Sequence, residues 1–226
     1  KEILDKLTKE NIDVYNPKTH KGSLRYLIIR AFPNQKDVQV TCVLTKLDTK
    51  IIKILKELNV TSANYNINED LKSVEIISGE VINVKGNKEI NGMLGNLNFK
   101  ISPEAFFQLN TVQTITLYDE IKKACNLTGK EKLLDCCCGI GSIGMYLADS
   151  CKEVRGIDIN VSGIENANNF AKINGVKNAR FYHGNILPHL HQFKEEGFTP
   201  DIVVVDPPRS GLNKNTMDNF KKCIWI

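Results

Sequence analysis

The sequence predicts an α/β protein: a mostly parallel sheet covered by helices over residues 102–226, preceded by a smaller α+β domain over residues 1–101. Two observations carry this expectation. From residue 132 onward short apolar strands alternate with helical segments, the pattern of parallel strands buried on both faces. Before residue 101 strands crowd together without that alternation. The 226 residues, 42% apolar and 25% charged, suit one large globular domain or two small ones.

Along the chain, residues 1–10 carry a short helical pattern and Asn16-Pro17-Lys18 a turn. The segments 24–30 and 38–44 are apolar and β-rich, and the Pro-Asn-Gln-Lys-Asp turn between them predicts a hairpin. Ile51, Ile52, Leu55 and Leu58 share one helical face. Further strands are expected at 60–66, 74–77, 80–84 and 97–101. Ser102, Pro103 and Glu104 read as the cap, first-turn and dipole-matched residues of a helix beginning there. A second helical run covers 112–125. Strands at 132–135, 154–158, 179–183 and 201–205 then alternate with helices at 143–148, 161–174 and 214–222. In such sheets ligands bind beyond the carboxyl ends of the strands.

Composition excludes several classes. No run approaches 18 apolar residues, so no membrane-spanning helix is expected. Seven cysteines is an odd count, and Cys136, Cys137 and Cys138 are adjacent, which makes them poor disulfide partners. No pair of CxxC motifs offers a zinc site, so no metal is expected. A reduced intracellular protein with small buried cysteines follows, its compartment left open. The net charge of +4 lies wholly in residues 1–100, with 16 Lys+Arg against 12 Asp+Glu; residues 101–226 hold 14 of each. Such an excess suits a nucleic acid partner and a solvated surface equally. The chain starts at Lys1 without methionine and stops inside Cys223-Ile224-Trp225-Ile226, which reads as the start of a strand, so it is expected to be a fragment.

The informative residues stand at the strand ends. Asp135-Cys136-Cys137-Cys138-Gly139-Ile140-Gly141-Ser142-Ile143-Gly144 leaves the first strand of the alternating region. Gly139-x-Gly141-x-x-Gly144 matches a nucleotide-binding spacing, and the same spacing also serves a turn that only lets a helix pack. Asp158 ends the next strand and could accept hydrogen bonds from ribose hydroxyls. The carboxylate of Asp135 would repel a pyrophosphate but suits the cationic methionine part of S-adenosylmethionine. Asn185, after the third strand, is either a contact to an adenine edge or an ordinary loop asparagine. His183 reads as structural. Three valines deliver Asp206 to the sheet edge, and Pro207-Pro208 stiffen the turn before Arg209.

Three stretches together resemble the RNA uracil-5-methyltransferases: Asp135 to Gly141, Asp206-Pro207-Pro208-Arg209-Ser210-Gly211-Leu212, and Ile101-Ser102-Pro103-Glu104-Ala105-Phe106-Phe107-Gln108-Leu109-Asn110. The last is the most discriminating, because generic methyltransferases lack it. The resemblance implies a class I (Rossmann-like) fold, S-adenosylmethionine as cofactor, and RNA, above all tRNA, as the partner methylated at uridine C5. It places Gln108 beside the cofactor and target base, Asp158 at the ribose-binding acid's position, Asn185 at a cofactor contact and Asp206 at the strand-end acid. Cys137 and Ser142 stand where many bacterial relatives carry an aromatic residue and Asn.

Uracil C5 becomes nucleophilic only after a thiolate adds at C6, and a base later removes the C5 proton. In the family that cysteine sits in a Ser-Cys-Asn motif and the base is a later Glu, so both are expected beyond Ile226, and no catalytic residue is expected within the chain. Two rival readings stand beside this one. A methyltransferase acting on an amine or amide would usually carry Asn-Pro-Pro-aromatic where Asp206-Pro207-Pro208-Arg209 stands. A non-catalytic RNA-binding or RNA-folding module would keep the cofactor fold without the chemistry.

Overall fold

A computed structural model describes residues 1–32, 36–72, 75–108, 110–208, 211–212, 214–220 and 224–225. The chain divides into two compact units, residues 1–92 with 100–107, and residues 93–99 with 108–226.

The first unit contains α1 (Glu2–Lys9), β1 (Leu24–Ala31), β2 (Val38–Leu44), α2 (Thr49–Glu57), β3 (Ser62–Ile67) and β4 (Val81–Gly86). The strands form one sheet in the order β1-β2-β3-β4, with β2 and β3 parallel and the outer pairs antiparallel. The two helices cover one face, where Ile3, Leu7, Ile51, Ile54 and Leu55 cluster with Val40, Cys42, Leu44 and Ala63. Asp48 caps α2 by accepting the Lys50 and Ile51 amides. Strand alternation puts Gln39, Thr41, Ser62, Asn64 and Asn66 on the other face, buried although polar. Their amides grip loop carbonyls: Asn66 donates to Ser78 and Glu80, and Gln39 to Lys88 and Ile101.

Two expectations fail in this unit for related reasons. Residues 75–77 form bends, not a strand: the carbonyls of Glu75 and Ile76 accept from the Asn68 side chain; Val74 lies outside the described residues. No helix begins at Ser102 either. Residues 102–105 form a turn, closed by the Ala105 amide on the Ser102 carbonyl at 3.2 Å, and the chain stays non-helical through Gln108. The Ser102 and Ala105 carbonyls, which helical amides four residues on would need, receive the Arg30 guanidinium at 2.6 and 2.7 Å. Unforeseen from sequence was β5 (Ile90–Leu94), which pairs with β6 (Leu97–Ile101).

The second unit contains α3 (Thr111–Cys125), β7 (Lys132–Cys136), α4 (Ser142–Leu147), β8 (Glu153–Asp158), α5 (Val161–Ile173), β9 (Ala179–His183), α6 (Ile186–Glu195), β10 (Ile202–Val205), α7 (Lys214–Asn219) and β11 (Ile224–Trp225). All neighbouring strands are parallel, in the order β11-β10-β7-β8-β9. Asn110 and Asn160 cap α3 and α5 through the Gln113 and Gly163 amides. Leu134, Cys136, Ile157, Phe193, Phe198 and Val203 fill the core on the α6 side. The expected doubly covered parallel sheet is present. Helix α6 escaped the sequence reading because Pro188 interrupts its pattern, yet proline in a first turn removes no helical hydrogen bond.

Candidate functional site

The chain runs from β7 outward to β8 and β9, then returns to place β10 on the other side of β7. Open α/β sheets bind ligands past the strand ends at such a reversal. Registers set the strand ends level: Val205 lies beside Cys136, Cys136 beside Ile157, and Asp158 beside His183. Asp135 and Asp158 therefore stand on adjacent strands near one edge, and Asp206 follows directly on β10.

The loop from β7 to α4 turns through three left-handed residues, Cys137 at φ 60°, Gly139 at 55° and Gly141 at 74°. The glycines divide between two tasks. A Cβ at Gly141 would stand 2.4 Å from the Phe181 ring, and one at Gly156 on β8 would stand 2.3 Å from it. These glycines house Phe181 of β9. A Cβ at Gly139 meets no described atom within 4 Å, so its face is open. The Gly139 amide donates to Asp158 Oδ2 at 2.9 Å, and the other oxygen of Asp158 accepts the Asn160 amide at 2.8 Å. Asp158 thus fastens the loop, and each of its oxygens keeps a lone pair for a ligand hydroxyl.

Asp135 is wholly buried at the end of β7. Its Oδ2 accepts the Gly144 amide at 2.9 Å, and its Oδ1 is equally buried without a hydrogen-bond partner among the described residues. Burial pushes its carboxyl up to about 7; the Gly144 amide opposes this, and Asp206 and Asp158 add to it. A buried, half-satisfied carboxyl among other acids is expensive unless a cation joins it. The ammonium and sulfonium of S-adenosylmethionine supply such charge, whereas a pyrophosphate would worsen the repulsion. The open Gly139 and the unpartnered Asp135 oxygen therefore fit that cofactor.

The remaining residues distribute as follows. Ser142 opens α4, and its hydroxyl lies 2.8 Å from the Tyr118 hydroxyl. Tyr118, on α3, is a contributor that sequence reading missed; only the helical run containing it was expected. Burial raises its hydroxyl to about 12, and Asp135 and Asp206 are among the charges that reach it. Asn185 is exposed at the cap position of α6 without a capping side-chain bond, so its amide is not spent on the helix. His183 bonds the Ile159 carbonyl at 3.1 Å, a structural contact. Gln108 is half-buried just ahead of the Asn110 cap, and Asp206 is exposed. Leu109, Arg209, Ser210 and Cys223 lie outside the described residues.

Burial raises five of the described thiols. Burial pushes Cys137 up to about 11, with Asp158, Asp135 and Asp206 adding to it, and Cys42 and Cys151 up to about 12. Cys125 and Cys138 are raised for the same first reason. Among the described residues no group of three or more His, Cys, Asp or Glu could hold a metal ion.

Residues 127–224 match the family model described as a methyltransferase domain. An uncharacterized RNA methyltransferase from Bacillus cereus is 39% identical over 97% of this chain and 48% of its own length. Another from Halalkalibacterium halodurans is 36% identical over 98% of the chain and 49% of its own. The chain thus spans about half the length of the curated relatives it matches. Among solved structures, the tRNA (uracil-54, C5)-methyltransferase of Pyrococcus abyssi, in complex with S-adenosyl-L-homocysteine, superposes with a TM-score of 0.75. It is 27% identical, over 98% of this chain and 53% of that one. The class I fold and a strand-end site that fits S-adenosylmethionine agree with these likenesses to a methyltransferase domain and to uncharacterized RNA methyltransferases.

Proposed function

We propose that the full-length protein methylates C5 of a uridine in RNA, with tRNA as the substrate, giving 5-methyluridine. The observation that carries this reading is the extent of the likeness. The methyltransferase model covers only residues 127–224, but the likeness to the tRNA (uracil-54, C5)-methyltransferase runs over 98% of the chain and so takes in both units. The Phe106-Phe107-Gln108 stretch, foreign to generic methyltransferases, supports it.

S-adenosylmethionine, when bound, supplies an electrophilic methyl group on a sulfonium. Asp135 would face its cationic end, Asp158 its ribose hydroxyls and Asn185 its adenine edge. Gly139, Cys137 and Ser142 would form the wall between them. Gln108 and Asp206 would orient the extruded base against the methyl group, since enzymes that act on a base take it out of the stack. The first unit would help hold the RNA. Burial raises the thiols of Cys42, Cys125, Cys137, Cys138 and Cys151, which disfavours in them the thiolate form that adds to C6.

Nucleoside mass spectrometry of tRNA from cells lacking the gene tests this reading. Loss of 5-methyluridine, restored by the intact gene, is the expected result; an unchanged level contradicts it.

A further inference from the structure

Helix α4 is tied to α3 by three polar rungs. Asp149, just past α4, pairs with Lys122 at 3.2 Å, and Tyr146 donates to Asp119 at 2.8 Å. The third rung lies nearest the glycine loop: the Tyr118 hydroxyl stands 2.8 Å from Ser142 Oγ, one residue after Gly141. The first two rungs already join the helices. Tyr118, on the third, is 1% exposed, and its ring packs edge-on against Tyr146 at 5.5 Å, so its hydroxyl is fixed in place. Burial keeps the proton on that hydroxyl, and the charges of Asp135 and Asp206 reinforce this. Ser142 is only half-buried, and among the described residues its hydroxyl has no other hydrogen-bond partner.

We propose that Tyr118 is a positioning residue for the amino-acid end of S-adenosylmethionine: by donating to Ser142 Oγ it leaves the Ser142 proton for the cofactor's carboxylate. The inference rests on the placement of the cofactor's cationic end at Asp135, and not on which base receives the methyl group. Asp135, Asp158 and Asp206 stand at these strand ends and suit the ammonium, the sulfonium and the ribose hydroxyls. They repel the carboxylate, which therefore needs a donor. Ammonium and carboxylate share one carbon, so that donor must stand close to Asp135. Ser142 meets the condition: two residues on, the Gly144 amide bonds Asp135 Oδ2 at 2.9 Å. A serine hydroxyl rotates to suit its partners. With one lone pair engaged by a fixed phenol, its single proton is turned away from Tyr118.

The test is titration calorimetry on the full-length protein with two ligands, S-adenosylmethionine and its decarboxylated form, which keeps the ammonium and the sulfonium. A hydrogen bond to a charged group changes affinity about 10- to 100-fold, so Ser142→Ala should weaken S-adenosylmethionine by that factor. Tyr118→Phe, which keeps the ring, should weaken it about 3- to 10-fold, the range of a neutral hydrogen bond. Both variants should bind the decarboxylated ligand as wild type does, which also shows that their sites are intact. In the double variant the loss should equal that of Ser142→Ala alone, because Tyr118 acts only through Ser142. Equal weakening of both ligands, unchanged affinity of Tyr118→Phe for S-adenosylmethionine, or losses that multiply would each overturn the proposal. Asp135→Asn separates it from the placement beneath it, since that change should weaken both cationic ligands. If Asp135→Asn weakens neither, the cofactor placement fails; if it weakens both while Tyr118→Phe shows no selective loss, the proposal fails alone.

Discussion

Asp135 accepts the Gly144 amide at 2.9 Å through one carboxyl oxygen, while its other oxygen is buried with no hydrogen-bond partner among the described residues. One group thereby joins the fold of the glycine loop to the reading of what that loop binds. Asp135→Asn keeps the shape and the bond to Gly144 but removes the charge. Hydrogen bonds to charged groups contribute about 1.5–3 kcal/mol, so affinity for S-adenosylmethionine should fall about 10- to 100-fold by titration calorimetry. Thermal stability of the free protein should hold or rise, because a buried carboxyl is removed. Unchanged cofactor affinity would show that Asp135 does not face the ligand.

The pH dependence follows from the same residue. An unfolded carboxyl titrates at about 3.9, and burial raises Asp135 to about 7 in the fold. Between those values the folded protein holds a proton that the unfolded chain has lost. The stability that Asp135 contributes is therefore fully present below about pH 4 and is lost as pH rises through about 7. Urea unfolding of the free protein from pH 5 to 8 should show this decline against Asp135→Asn, which lacks it. Affinity for the cationic cofactor should run the opposite way, strengthening as the carboxylate forms. A cofactor affinity flat across pH 6–8 would contradict the assignment.

The glycines of the loop should separate by effect. Gly141→Ala and Gly156→Ala drive a methyl group to 2.4 and 2.3 Å from the Phe181 ring, so both should destabilise the protein by about 1–3 kcal/mol or more. Gly139→Ala has space, and its left-handed φ of 55° adds about 1 kcal/mol of strain. Its larger consequence should be weakened cofactor binding, as a methyl group narrows the open face. Denaturation and calorimetry on the three variants check the division; equal losses of affinity in all three would refute it.

How much of this was legible in the sequence depends on the range of the interactions involved. The strand ends carrying Asp135, Asp158 and Asp206 were readable because each follows a short apolar run that must be buried whatever surrounds it. Illegible features were decided from afar. Arg30 cancels the helix signals of Ser102 and Pro103 from another strand, and Asn68 takes the carbonyls that a strand at 75–77 would have paired. The glycine spacing looked like one motif, but Phe181, forty residues away, claims Gly141 and leaves Gly139 open. Tyr118 beside Ser142 was hidden for the same reason: a buried tyrosine on a helix reads as core until its hydroxyl's partner is known.

Methylation at C5 replaces a carbon-bound hydrogen, a consequence that no oxygen or ring-nitrogen acceptor shares. The most direct measurement is therefore tritium release from tRNA transcribed with 5-tritiated uridine, incubated with the full-length protein and S-adenosylmethionine. Uridine C5 methylation predicts tritium appearing in water in step with methyl groups entering RNA, one for each. Methyl incorporation with tritium fully retained would contradict it.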